Sequence, residues 1–561
     1  MSKETRHPYI PILQARLAEG RIDRREFLRT ATLLGLSATA AYAFVGKIEG
    51  GSFAAPALAQ TAMPKGGRLR ISMRVYDLKS PHTFNATSAS NIVRQTNDFL
   101  TVTGADNVTR GGLVEKWEVS PDLKTWTLHV RKNVKWRKGN EFTADEVIWN
   151  LKHVLDPAVG SSVLGLMRSY MIAEVETGQK DDKGNPKKVS QLWDANAIQK
   201  VDSHTVRFNC KVPQLAVAEH LFHYPLSILH PDDKGEYKLG ADGTGPFELV
   251  ELDVGKKAVL RARQGYWGTG PYVETLEFID LGDDPGPQLA AFASKQVDGI
   301  QLISNDVIPT LGALPHAAVY DQVTAGCALA HVRADQKPFD DKRVRQALRL
   351  AIDTQKYLDV TLRDTGSTAE HHHVAPILPD YAKLPPFKQD VAKAKQLLAE
   401  AGFPNGIDLT ISCRKEPSSE PQQVQALVEQ WKAAGIRATV NIMPTAEYNK
   451  VWTDVPVGFI GWAHRPLGIM TLGLAYRSGG SWNESHYSNP EFDKLLTEAE
   501  GTLDLEKRRA IMAKLEAILQ DDGPIIQPVW TKTFQVFDKK VKGANVHPSL
   551  LIFGNEMAVG A

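Results

Sequence analysis

Alternation of apolar and polar side chains dominates the first half of the chain. In Thr125-Trp126-Thr127-Leu128-His129-Val130, residues Trp126, Leu128 and Val130 share one face, which predicts a half-buried strand. The polar stretch 160–200 interrupts this pattern, and Asp181-Asp182-Lys183-Gly184-Asn185-Pro186 reads as a solvated turn between two elements.

Beyond residue 340 the period changes to alternating helices and strands. Asp390 is placed to cap a helix whose apolar face is Val391, Ala394, Leu398 and Ala401, with Gly402 and Pro404 ending it. A strand over 408–413 follows. Val424, Leu427, Val428 and Trp431 then fall at i, i+3, i+4 and i+7, the spacing of a helix that Gly435 closes, and 437–443 reads as a second strand. A strand, a helix and a strand in this order predict a parallel sheet covered on both faces, whose crevice lies beyond the carboxyl ends of its strands. Arg414 stands immediately after one such strand. The apolar run 457–462 is followed at once by His464 and Arg465, so Arg414, Trp462, His464 and Arg465 are expected in one crevice.

The first 59 residues read differently. A basic stretch containing Asp23-Arg24-Arg25-Glu26-Phe27-Leu28-Arg29 runs into a mildly apolar segment, Ala31 to Gly46, too short to span a bilayer. Ala57-Leu58-Ala59 supplies a small-residue cleavage pattern before Gln60. Residues 1–59 are therefore expected to be a signal peptide excluded from the fold, and the arginine pair with Phe-Leu-Arg resembles the twin-arginine export signal.

Of the 66 Lys/Arg and 65 Asp/Glu residues, eight and five lie in that segment, which leaves a slightly acidic remainder. Such a balance argues against nucleic acid or an anionic membrane as partner. Three scattered cysteines, Cys210, Cys327 and Cys413, suit neither a disulfide scaffold nor a zinc site and read as buried free thiols. About 500 remaining residues exceed what one core supports, so at least two domains are expected.

Four ordered blocks carry a family resemblance: Leu113-Val114-Glu115-Lys116-Trp117-Glu118-Val119-Ser120 continuing to Asp156-Pro157; Gly243-Thr244-Gly245-Pro246-Phe247 with Tyr266-Trp267-Gly268; Pro338-Phe339-Asp340-Asp341 through Leu348; and Tyr487-Ser488-Asn489-Pro490-Glu491-Phe492-Asp493. On these the chain resembles the family 5 extracellular solute-binding proteins of the dipeptide, oligopeptide and nickel class. The resemblance implies an α/β, two-lobed periplasmic-binding-protein fold (type II, cluster C) with an extra subdomain on the first lobe. Carried over, 60–92, 206–325 and 531–561 form lobe I, 93–205 the subdomain and 326–530 lobe II. It further implies a soluble, periplasmic, monomeric protein that encloses a small organic ligand by hinge closure and delivers it to an ABC permease and ATPase complex, with no catalytic activity, no cofactor and no resident metal.

Read physically, most of the blocks are structural. Gly243-Thr244-Gly245-Pro246 lacks the Lys-Ser/Thr of a phosphate loop and reads as a tight turn into a strand. Val344, Leu348 and Ala351 read as core, and Arg343, Arg345 and Arg349 as a solvated face.

Dipeptide-binding members hold the ligand's carboxylate with an arginine and its ammonium with an aspartate. The arginine position falls on Arg414, and the aspartate position, three residues after Trp462, falls on Arg465, a reversal of charge. A buried ammonium beside Arg465 would suffer repulsion on top of lost solvation, so two guanidinium groups are expected to converge on an anionic group. Other readings stay open: Arg414 pairing with Glu416, Arg465 capping a helix end or pairing with an acid, and His464 as the true equivalent. Trp482 and Asn483, in a Gly/Ser-rich loop, complete the candidate ligand-binding set of Arg414, Trp462, His464, Arg465, Trp482 and Asn483. His371-His372-His373 offers a metal reading, in which at most His371 and His373 share an ion, beside a hydrogen-bonding role near the cleft mouth. That triplet keeps a nickel or metal-complex binder as the alternative function. A secreted hydrolase finds no support, because no Gly-x-Ser-x-Gly elbow, His-Glu-x-x-His helix or dinucleotide fingerprint occurs.

Overall fold

The computed structural model describes residues 7–49, 63–180, 186–417, 419–544 and 546–560. Its frame is one long twisted sheet that changes character along its length. At one end Phe247–Asp253, Lys257–Ala262, Thr275–Ile279, Arg68–Ser72 and Gly299–Ile300 lie side by side. At the other, Ile407–Arg414 runs parallel to Ile436–Met443 in register from Ile407↔Ile436 to Arg414↔Met443, with Val457–Trp462 on its far side. Two antiparallel strands, Ala317–Val332 and Val529–Asp538, join the halves, and their pairing is interrupted between Val323 and Gly326. Each half has its own core, one around Leu69, Ile71, Leu260 and Phe278, the other around Val344, Leu348, Val424, Trp431 and Ile436. This is a two-lobed α/β molecule whose lobes are linked by crossing strands.

The expected local elements form for the expected reasons. Asp390 Oδ1 accepts the Lys393 amide and starts the helix Val391–Glu400, past which Gly402 adopts φ +95°. The helix Ser419–Trp431 buries Val424, Leu427, Val428 and Trp431, and Gly435 closes it at φ +79°. The alternating segment forms Thr125–Val130, with Trp126, Leu128 and Val130 inward, within a separate four-stranded sheet. Gly243 and Gly245 pass so close to Thr96 that a Cβ at either position would collide with its backbone, so the turn before Phe247–Asp253 is structural. All three cysteines are buried and free. The turn 181–185 lies outside the described residues; the strands flanking it, Ile172–Lys180 and Pro186–Leu192, pair as a hairpin.

Two expectations are corrected. Arg345 and Arg349 are buried, not solvated: they donate to the carbonyls of Asp521, Asp522 and Gly523 at the end of the helix Leu505–Asp522, with Arg345 also held by the Asp522 carboxylate. Helical spacing put them on one face, but the carbonyls of a second helix end cover it; only Arg343 is exposed, paired with Asp341. Nor do residues 7–49 stand apart from the fold. They form Ile10–Ala18, Arg24–Leu33 and Ala38–Glu49, and Phe27 and Ala31 are buried in one continuous core with Trp117 and Trp126. The Trp117 indole donates to the Leu33 carbonyl at 2.8 Å, and Arg508 pairs with Glu26 at 3.4 Å. Arg24 and Arg25 stay exposed at the start of their helix, and the cleavage pattern Ala57-Leu58-Ala59 lies outside the described residues. Among the described residues no helix is long and apolar enough to cross a membrane.

Candidate functional site

A cavity of about 450 Å³ lies between the lobes, where the crossing strands pass beneath it and the carboxyl ends of Ile407–Arg414 and Val457–Trp462 open into it. That volume lies within the range of small-molecule sites, and its position follows the rule for parallel sheets. Of the six candidate residues, Arg414, Trp462, His464, Arg465 and Trp482 line it; Asn483 does not.

Arg465 is the least conventional of them. Its side chain is buried, with 5 % of the residue exposed, and its Nη1 donates only to the neighbouring carbonyls of Ala463 and His464, each at 3.1 Å. Its Nε has no partner, and no described carboxylate pairs with it. The guanidinium carbon lies 5.5 Å from the centre of the Tyr224 ring and 6.0 Å from that of Trp482, so two aromatic faces take the place of an acid. Burial pulls the guanidinium below its ordinary value, and Tyr224 works against that shift. Burial holds the imidazoles of His223 and His464 beside it well below the usual range and that of His373 at about 3.

Arg414 is committed. Its Nε lies 3.0 Å from both carboxylate oxygens of Glu420, and its Nη2 makes a further short bond to the same group. The partner is Glu420, in the first turn of the following helix, and not Glu416. Burial works against the Arg414 charge, but Glu420 outweighs it and lifts the guanidinium above its ordinary value. The expected convergence of two open guanidinium groups is corrected accordingly: one is closed by a fork-to-fork pair, the other is open.

The remaining candidates have structural partners. His464 Nδ1 accepts the Ala325 amide at 3.0 Å, so Nε2 carries the proton and donates to Asn107 Oδ1 at 3.0 Å, bridging a crossing strand and the turn between the paired strands Thr101–Thr103 and Thr109–Gly111. Trp462 donates its indole N–H to Glu484 at 3.1 Å, and its ring meets Trp482 edge-on at 5.9 Å. Asn483 is placed by its own loop: it donates to the carbonyls of Arg477 and Tyr487 and accepts from Ser485 and the Tyr487 amide. The histidine triplet is buried outside the cavity lining. His371 accepts from the Gln527 amide at 2.9 Å, His373 bonds the Tyr476 hydroxyl at 2.7 Å, and among the described residues no group of three His, Cys, Asp or Glu side chains is arranged to hold a metal.

Sequence reasoning missed Tyr224, Glu420 and Gln423. Glu420 carried a weak signal, an acid in the first turn of the helix after Arg414; Tyr224 carried none, because it arrives from a chain segment some 240 residues away.

Residues 109–483 match the model of the bacterial extracellular solute-binding proteins, family 5, middle region. The chain belongs to this family. It is 26 % identical over 466 residues to the dipeptide-binding protein of Escherichia coli K12, covering 78 % of this chain and 84 % of that protein. It is 24 % identical over 460 residues to heme-binding protein A of Haemophilus influenzae, covering 77 % and 80 %. In fold it is similar to the periplasmic binding protein DppA of Helicobacter pylori in complex with the peptide STSA, with a TM-score of 0.75, 21 % identity and coverage of 89 % and 99 %. It is likewise similar to AgaA of A. tumefaciens R10 in complex with agropinic acid, with a TM-score of 0.77, 19 % identity and coverage of 88 % and 99 %. Family 5 membership makes this chain a solute-binding protein, and these likenesses agree with its two-lobed α/β fold.

Proposed function

We propose that the chain is the periplasmic binding component of an ABC importer, capturing a peptide or another small polar organic solute with an anionic group and passing it unchanged to a permease and its ATPase. The observation that carries this reading is Arg465, a cation buried in the interlobe cavity with an unpartnered N–H and no described carboxylate beside it. Such a group is destabilising in an empty protein and becomes favourable when a carboxylate or phosphate supplies the missing partner, a bond on the order of 1.5–3 kcal/mol. Relatives named for dipeptides and oligopeptides support the peptide class. His371 and His373 each commit Nδ1 within the fold, to the Gln527 amide and the Tyr476 hydroxyl, and both lie outside the cavity lining, which weakens the metal-complex alternative.

Capture works by closure. Lobe I comprises 60–92, 206–325 and 531–561, its subdomain 93–205 and lobe II 326–530, with the hinge at the interrupted pairing near Gly326. Ser549 Oγ donating to the His464 carbonyl at 3.1 Å is one contact that closure would use. The chain acts as a monomer, and its arginine pair, exposed at the start of a helix, directs twin-arginine export; replacing Arg24 and Arg25 with lysine should block periplasmic accumulation. Mass spectrometry of the molecule that copurifies identifies the solute. Small-angle scattering of the protein stripped by mild unfolding and refolded should show the radius of gyration falling when that molecule is returned; an unchanged radius at saturation rules out closure.

A further inference from the structure

Residues 7–49 are seated across two parts of the molecule that fall in different lobes of the arrangement proposed above. On one side lies the helix Leu505–Asp522, whose far end is gripped by Arg345 and Arg349. Arg16 pairs with Asp504, the residue that caps this helix, and Arg508 reaches Glu26 at 3.4 Å. On the other side lies the subdomain. The Trp117 indole, on the strand Val114–Val119, donates to the Leu33 carbonyl, and Gly35, at φ +88°, passes so close to the Trp117 carbonyl that a Cβ would collide with it. The Tyr42 hydroxyl donates to Asp106 at 2.7 Å, in the same turn whose Asn107 accepts from His464 beside Arg465. The segment thus bears on a turn that touches the cleft lining.

This contact is close in shape and poor in charge. Phe27, Leu28 and Ala31 are buried against the body, but so are Glu26, Arg29, Glu219 and Arg508. Arg29 stands 4.0 Å from both Glu26 and Glu219, and neither Glu219 oxygen has a hydrogen bond. Burial, opposed by Arg29, raises the Glu219 carboxyl to about 8. Charges buried at such distances recover little of their lost solvation, and parting the surfaces returns them to water. A permanently packed helix would gain more from apolar side chains at these positions. In the sequence the cleavage pattern Ala57-Leu58-Ala59 follows the segment, so a cut there leaves it held by these contacts alone.

We propose that residues 7–49 are a detachable clasp, which ties the start of the helix Leu505–Asp522 in lobe II to the subdomain of lobe I and holds the cleft closed while the chain is uncut. It rests on the lobe assignment and the closure read above. The two sides also meet directly, the Leu215 amide donating to the Glu500 carbonyl at 2.9 Å, and the clasp adds to that contact. The uncut chain then loads and releases solute slowly, and cleavage frees the hinge.

The test uses the stripped, uncut full chain. Its native cysteines are buried, so spin labels attach to Val201→Cys in the four-stranded sheet and Ile442→Cys on the edge strand of lobe II, both exposed positions. The parent should give one distance population. Phe27→Asp puts a charge into the buried contact: amide exchange over 10–49 should quicken at least about tenfold, and a second, longer distance should appear. Arg16→Glu, facing Asp504 at the margin of the contact, should do the same to a smaller extent without disturbing the core. Faster exchange with no longer distance overturns the clasp, as does free exchange of the segment in the parent. The fall in radius described above belongs to the chain cut after Ala59, and the clasp should suppress it in the uncut chain. Equal falls in both chains overturn the clasp and leave closure standing, whereas no fall in either sinks both.

Discussion

Arg414 ends one strand and Arg465 follows another, both line the same cavity, and they meet opposite surroundings. Arg414 is locked on Glu420 by bonds from Nε and Nη2, whereas Arg465 rests on Tyr224 and Trp482 with its Nε unused. A residue's type and its place at a strand end bring it to the crevice; the neighbour it meets there decides whether its N–H groups are used within the fold or left open.

The largest expected effect lies at the paired end. Glu420→Leu leaves the Arg414 guanidinium without its acid and should cost about 3 kcal/mol of unfolding free energy in urea, the scale for breaking a buried pair. A change below about 1 kcal/mol would mean Arg414 is as tolerant of isolation as Arg465, and the contrast would dissolve.

Next comes binding at the open end. Arg465→Asp should weaken binding of the copurified solute by at least about 2 kcal/mol, the usual scale for losing a charged hydrogen bond in an interface, as read by calorimetry. Unaltered affinity in this variant would show that Arg465 does not touch the solute.

A subtler consequence separates stability from function. Because Arg465 is a buried charge with no described carboxylate beside it, Arg465→Met should stabilise the empty protein by about 1 kcal/mol while weakening binding. Loss of stability instead would mean that stacking on Tyr224 and Trp482 outweighs the missing ion partner.

A pH dependence sharpens the aromatic wall behind Arg465. Burial raises Glu484, which holds the Trp462 indole, to about 8. The folded form then keeps a proton that the unfolded chain releases near 4.5, so stability is complete below that value and falls as pH rises toward 8. Glu484→Gln keeps an acceptor for Trp462 and should flatten this decline, making the variant more stable than the parent by more than about 1 kcal/mol at pH 7.5. Parallel pH profiles for the two proteins would show that Glu484 is ionised in the fold.

The parallel strands, the helix between them and its caps were legible from residue 390 onward because their determinants are local: Asp390, Gly402, Gly435 and the i, i+3, i+4, i+7 run are neighbours in the chain. The crevice position was legible for the same reason, since strand ends and sheet type predict it. Asn483 was misjudged because a Gly/Ser-rich loop reads as open, although here its amide is used to fold the loop on itself.

By itself, then, the sequence determined the elements from residue 390 onward and the arrival of Arg414, Trp462, His464 and Arg465 at one cavity through short-range pattern and strand order, while the two-lobed α/β class came from the family resemblance. Tertiary structure alone decided the partners. Glu420 rather than Glu416 closes Arg414, Tyr224 covers Arg465, helix-end carbonyls bury Arg345 and Arg349, and the mildly apolar segment 31–46 packs against the body. An amphipathic run specifies which face seeks cover and a charged residue specifies what it can bind, but neither encodes which distant segment will supply it; that is settled only when residues hundreds of positions apart are packed to contact.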